Sequence, residues 1–271
     1  MHISGVKNIK ATEYINNKEI TEVKIEEGVE FIGTSAFCGC SHLKNVEFPD
    51  TLKVIGNWAF EDCSEINELS LPYNLIEIGY ESFSGCSGVK ELSFSDKLTK
   101  IGQSAFRNCS GLYKLDLPKS LSKIEDDAFV DCSNLTSLWF PDSLTEIGDS
   151  AFTGCSSLTY IRFPDNLEEI GDGAFYECPS LEVIYCSDKV AELLTEDVIS
   201  GSKYSVEEMR QNTVPKIYLN KFYWNPRNHH TSFRYLNDTI KTLFLCAIRN
   251  ESSEFLPNIP DELYTKILSM I

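Results

Sequence analysis

Apolar residues return along this chain on a fixed beat. Phenylalanines stand at Phe37, Phe60, Phe83, Phe106, Phe129, Phe152 and Phe175, each 23 residues after the last. Three residues beyond each comes a cysteine, at Cys40, Cys63, Cys86, Cys109, Cys132, Cys155 and Cys178. The full unit reads Leu-x-x-Leu-x-Phe-Pro-x-x-Leu-x-x-Ile-Gly-x-x-Ala-Phe-x-x-Cys-Ser-x. Within it Leu138-Trp139-Phe140 alternates inward, outward, inward, the period of a strand. Pro141 and Asp142 end that strand, because proline brings no donor to a further ladder position. Leu144 and Ile147 turn back to the core, Gly148 suits a tight bend, and Asp149 or Ser150 is expected to cap a short helical turn carrying Ala151 and Phe152.

A constant period of this length predicts a solenoid, in which each unit buries its apolar face only against its neighbours. Equivalent residues then lie about 4.8 Å apart, and the phenylalanines form one aromatic file. Alanine precedes six of the seven phenylalanines; Ser82 is the exception. Both ends fade. Val6, Ile9, Tyr14, Ile20, Val23, Ile25 and Val29 read as a worn first unit. Val190, Leu193 and Val198 keep the phase at the other end, after which Ser202 to Asn212 reads as a polar capping helix. The expected organisation is a solenoid over 1–200, a cap and linker over 201–236, and a helical tail over 237–271.

The Leu-Pro, Ile-Gly, Ala-Phe and Cys-Ser phrases, held in one register over seven units, resemble the BspA-type leucine-rich repeat family across about 15–200. The resemblance implies a leucine-rich-repeat solenoid with a curved parallel β-sheet on one face and short strands or helical turns on the other. It also implies a role in binding or adhesion, as for family members of bacteria, protists and some large viruses. Departures are Ser95 and Ser187 for the proline, Glu125 for the glycine, and Pro179 for the serine after cysteine.

Charge narrows the partners. The net charge is −17; residues 1–215 hold 17 basic and 36 acidic residues, and 216–271 hold 7 and 5. So acidic a body repels nucleic acid and anionic lipid. The charge either keeps an extended surface dissolved or attracts a basic partner. The opening residues show no secretory signal and no apolar run reaches membrane-spanning length, so a cytoplasmic chain is expected, in the host cytoplasm if the source is viral. The ten cysteines then stay free thiols. The seven from Cys40 to Cys178 fall on successive coils with parallel side chains, which favours buried structural thiols over disulfides or zinc, whose ligands must converge.

The outward strand positions form two columns. One is Glu22, Asn45, Glu68, Glu91, Lys114, Ser137, Tyr160, Val183; the other is Lys24, Glu47, Ser70, Ser93, Asp116, Trp139, Arg162, Tyr185. The second half gathers Trp139, Tyr160, Arg162 and Tyr185, with Lys114 and Asp116 adjoining, and Trp, Tyr and Arg are the residue types enriched at binding hot spots. These six are the expected partner-binding residues, for a protein ligand met by a monomer. The alternative is that the C-terminal segment folds back over the rings.

In the tail, Val214 to Leu219 is a possible closing strand, and Trp224 to His230 reads as a linker whose paired histidines lack further ligands nearby. Asn237 caps a helix with Ile240, Leu243, Phe244, Ala247 and Ile248 on one face. The last stretch, 256–271, resembles the opening of an F-box through Ile259, Pro260, Glu262, Leu263, Ile267 and Leu268. That resemblance implies docking on a Skp-type adaptor and a substrate receptor for ubiquitin ligation; the alternative is a packing helix pair. A surface adhesin is a further possibility, requiring an export route. No nucleophile phrase, phosphate loop, dinucleotide turn or zinc-helix motif appears, so neither an enzyme nor a cofactor or metal is expected. Asp50, Asp142 and Asp165 recur at turns, where bonds to local backbone are expected.

Overall fold

A computed structural model of the chain describes residues 1–202, and within them the 23-residue units form a parallel-stranded solenoid. Most units lay down two short strands; in one the first is reduced to a single bridge between Asn45 and Glu68. The first lie in three parallel runs: His2–Ile3, Glu22–Ile25 and Asn45–Glu47; then Glu91–Ser93 and Lys114–Asp116; then Ser137–Trp139, Tyr160–Arg162 and Val183–Tyr185. The second strands form two further sheets. One joins Asn8–Ile9, Phe31–Ile32, Val54–Ile55 and Glu77–Ile78; the other joins Lys100–Ile101, Lys123–Ile124, Glu146–Ile147 and Glu169–Ile170. Every pairing aligns residues 22 or 23 positions apart, as His2 with Lys24, Trp139 with Arg162 and Ile124 with Ile147 show. Equal unit length therefore sets the register with no help from hairpin turns.

The phenylalanine file is present. All seven rings are fully buried, and successive centroids lie 5.1 to 5.4 Å apart. Tyr14 extends the file at the N-terminal end, stacking on Phe37 at 5.1 Å. Phe48, Phe94, Phe140 and Phe163 press edge-on against it at 5.6 to 5.7 Å. At the other end Val198, 2% exposed, succeeds Phe175 and accepts its N–H at the Val198 carbonyl, 2.8 Å away. That unit is helical, at Asp188–Ala191 and Glu196–Ile199. Leu194, rather than Leu193, is the buried leucine there. Val6 is 46% exposed, so it is not part of the buried first unit.

The expected capped helical turn before each phenylalanine is absent. Ser150 has φ 55°, as do its equivalents Ser35, Trp58, Glu81, Ser104 and Asp127 within a few degrees. Left-handed residues cannot continue a right-handed turn. Every second N–H instead bonds between units: Ser150, Phe152 and Gly154 donate to the carbonyls of Asp172, Ala174 and Tyr176 at 2.8 to 2.9 Å, while Ala151, Thr153 and Cys155 close local turns. This third wall is an inter-coil ladder, and it satisfies donors that a helix would have turned inward on itself. Gly148 answers a different need from the one expected. A Cβ there would stand 2.6 Å from the Asp126 nitrogen and 2.8 Å from the Glu125 carbonyl carbon of the previous coil. At the equivalent position Glu125 accommodates its Cβ with a longer bond to the preceding coil, 3.1 Å to the Ile101 carbonyl against 2.8 Å from Gly148 to Ile124.

The cysteines complete the core. Each thiol from Cys63 to Cys178 donates to the carbonyl of the phenylalanine one coil back, as Cys63 does to Phe37 at 3.2 Å and Cys109 to Phe83 at 3.3 Å. Cys40 reaches Tyr14 in the same way, at 3.1 Å. That carbonyl already accepts one backbone N–H, from Cys40 to Phe37 for example, so the thiol fills its second lone pair. All nine described cysteines are free.

Candidate functional site

Strand alternation decides what the sheet shows to solvent. Leu138, Ile161 and Ile184 point inward, at 0%, 0% and 3% exposure. Their neighbours point out, and the register sets Trp139 beside Arg162 and Arg162 beside Tyr185. Trp139 also stacks diagonally on Tyr160, with centroids 5.1 Å apart and ring planes 30° apart. Cross-strand aromatic pairs of this kind hold one another in place. Trp139 remains 47% and Tyr185 43% exposed. Arg162 Nη2 lies 3.8 Å from Asp142 Oδ1, and the Asp142 side chain is 83% exposed. An ion pair so open to water is worth about 0–1 kcal/mol.

Four of the six residues picked from the sequence thus share one three-stranded sheet. The other two lie on the two-stranded run beside it and are engaged with each other. Lys114 Nζ is 3.2 Å from Asp116 Oδ2 and 3.3 Å from Glu91 Oε2. The Tyr113 hydroxyl, and after it the Lys114 ammonium, hold the Glu91 carboxyl below its usual value. Tyr113 itself is 44% exposed and was not among the expected site residues. It lies one position before the strand, outside the two alternating columns of the sheet face.

One of the turn aspartates, Asp142, departs from the expected bond to local backbone. Asp142 is directed to Arg162, and Asp96, at the equivalent position two units back, accepts the Lys119 N–H of the next coil at 3.2 Å. Both look across coils instead of along the local backbone. Among the described residues no group of three or more metal-ligating side chains converges. Among them, too, no helix is long and apolar enough to cross a membrane. The adaptor-docking stretch through Ile259, Pro260, Glu262, Leu263, Ile267 and Leu268, the histidine pair and the tail helices lie outside the described residues.

These features define a leucine-rich-repeat solenoid with one aromatic, solvent-facing sheet. The chain belongs to the BspA type leucine rich repeat family, whose profile matches residues 7–136 and 122–225 in 6 copies. Among solved structures it is similar to a leucine rich repeat protein of T. pallidum. The two are 30% identical with a TM-score of 0.55, and the match covers 56% of this chain and 72% of that one. It is also similar to a leucine rich cell surface protein of Faecalibacterium prausnitzii, 24% identical with a TM-score of 0.55, over 67% of this chain and 65% of that one. No curated protein matches.

Proposed function

We propose that this chain is a non-enzymatic binding protein that captures another protein on the sheet face around Trp139. The observation that carries the reading is the Trp139–Tyr160 stack, 5.1 Å between centroids, held in register with Arg162 and Tyr185 on a surface that leaves Trp139 47% exposed. A tryptophan of this exposure adds nothing to the core, whereas rigid aromatic anchors flanked by arginine are what interface hot spots are made of. Solenoids present such faces because neighbouring units supply equivalent positions side by side.

The test is capture of partners from the native host by the wild-type chain and by Trp139→Ala/Tyr160→Ala. Each truncated hot-spot side chain costs about 2 kcal/mol or more, roughly thirtyfold in affinity. The double variant should therefore retain almost none of the captured protein while its circular dichroism melt stays near wild type. Undiminished capture by the double variant refutes the site.

A further inference from the structure

Charge is distributed unevenly along the solenoid. Residues 1–125 hold 13 basic and 18 acidic residues, whereas 126–202 hold 2 and 16. The aromatic sheet lies inside the second stretch. Asp142, Asp165 and Asp188 occupy one position in consecutive units, three residues beyond Trp139, Arg162 and Tyr185. All three are exposed. Coils about 5 Å apart keep these carboxylates within one screening length of roughly 8 Å, so their fields add. The two cations of the stretch offset little of this. Arg162 stands 3.8 Å from Asp142, and the Lys189 ammonium donates to the Asp165 carbonyl oxygen at 3.5 Å.

Resting on the binding face just described, we infer that its occupant is a cationic segment of another protein, bearing arginine or lysine side chains. The segment runs along the coil axis with its charges over Asp142, Asp165 and Asp188, and one cation covers the exposed Trp139 ring. Tryptophan is the best of the aromatic partners for a cation, and a guanidinium plane stacks on it as well. Arg162 and Lys189 are the opposing charges of this stretch, and Arg162, on the sheet itself, marks where the segment offers a carbonyl or an acid. The acidic wall steers such a partner in and disfavours anionic ones, which gives the face its selectivity. Nucleic acid and anionic lipid carry the wrong sign.

The test is fluorescence anisotropy of labelled oligoarginine, oligoglutamate and oligoserine peptides against the full chain, at about 0.15 M salt where long-range fields are screened. Oligoarginine should bind and the other two should not. Trp139→Ala should weaken oligoarginine binding about three- to thirtyfold, the cation–π range. Asp142→Asn/Asp165→Asn/Asp188→Asn should weaken it at least as much. Glu22→Gln/Glu68→Gln, on the same face at the other end, should change it less than about twofold. Equal losses from both charge variants, no effect of Trp139→Ala, or oligoserine binding as well as oligoarginine would each overturn the inference. If oligoarginine fails to bind while Trp139→Ala/Tyr160→Ala still abolishes partner capture, the binding face stands and the cationic class is wrong.

Discussion

Mild alkali should unfold this solenoid, and the cysteine file is the reason. The thiols of Cys63, Cys86, Cys109, Cys132, Cys155 and Cys178 are 0 to 1% exposed. Burial pushes each one up, Cys109 and Cys178 to about 12 and the others upward as well. In the unfolded chain the same thiols titrate near ~8.5. Above that pH the unfolded state loses protons that the folded state keeps, so stability falls as pH rises. The slope approaches about 1.4 kcal/mol per pH unit for each thiol. At about pH 9.5 one thiol has cost about 1.4 kcal/mol and the six together about 8 kcal/mol, comparable to the whole stability of a typical domain, about 5–15 kcal/mol. Urea unfolding followed by circular dichroism at pH 7.5, 8.5 and 9.5, in reductant, should show the midpoint collapse across this window. Cys109→Ala is less stable at neutral pH, because it leaves a void and strands the second lone pair of the Phe83 carbonyl, but its further loss up to about pH 9.5 should be smaller than wild type by about 1.4 kcal/mol. A midpoint that does not move between pH 7.5 and 9.5, or an identical slope in Cys109→Ala, would show that the thiols do not stay protonated in the core.

Three further substitutions test the aromatic file and the buried serine beside it. Phe106 stacks on Phe83 and Phe129 at 5.4 Å and meets the edge of Phe94 at 5.7 Å, so Phe106→Ala should cost about 3–5 kcal/mol. Tyr14 at the end of the file has one stacking partner, and Tyr14→Ala should cost distinctly less in the same urea titration; equal costs would mean that the rings do not act as a file. Ser82 is fully buried at the position where the other units carry alanine, and its hydroxyl has no hydrogen-bond partner. Ser82→Ala should therefore stabilise the chain by about 1–3 kcal/mol, and a loss of stability would mean that the hydroxyl is satisfied.

The sequence by itself determined the period, the inward file and the outward columns, because identical unit lengths leave only one way to stack and strand alternation leaves only two faces. The 23-residue period alone places Tyr14 and Val198 at the ends of the file and sets Trp139 beside Arg162. The tertiary structure alone decided what the third wall is made of. Ser150 read as a helix cap, since a polar residue ahead of Ala-Phe satisfies local donors; in the fold it is left-handed and its N–H crosses to the next coil. The signal was present one step away, in Asn16, Gly39, Asp62, Gly85, Asn108, Asp131 and Gly154, residue types that tolerate positive φ, again 23 apart. Gly148 likewise read as a bend, whereas the reason for it is the backbone of the previous coil, which no single unit contains. The cysteines were legible as buried but their purpose was not, because the carbonyl each one satisfies belongs to the residue 26 positions earlier. Local pattern fixes what a unit hides; only the stacked neighbour shows what its polar atoms are for.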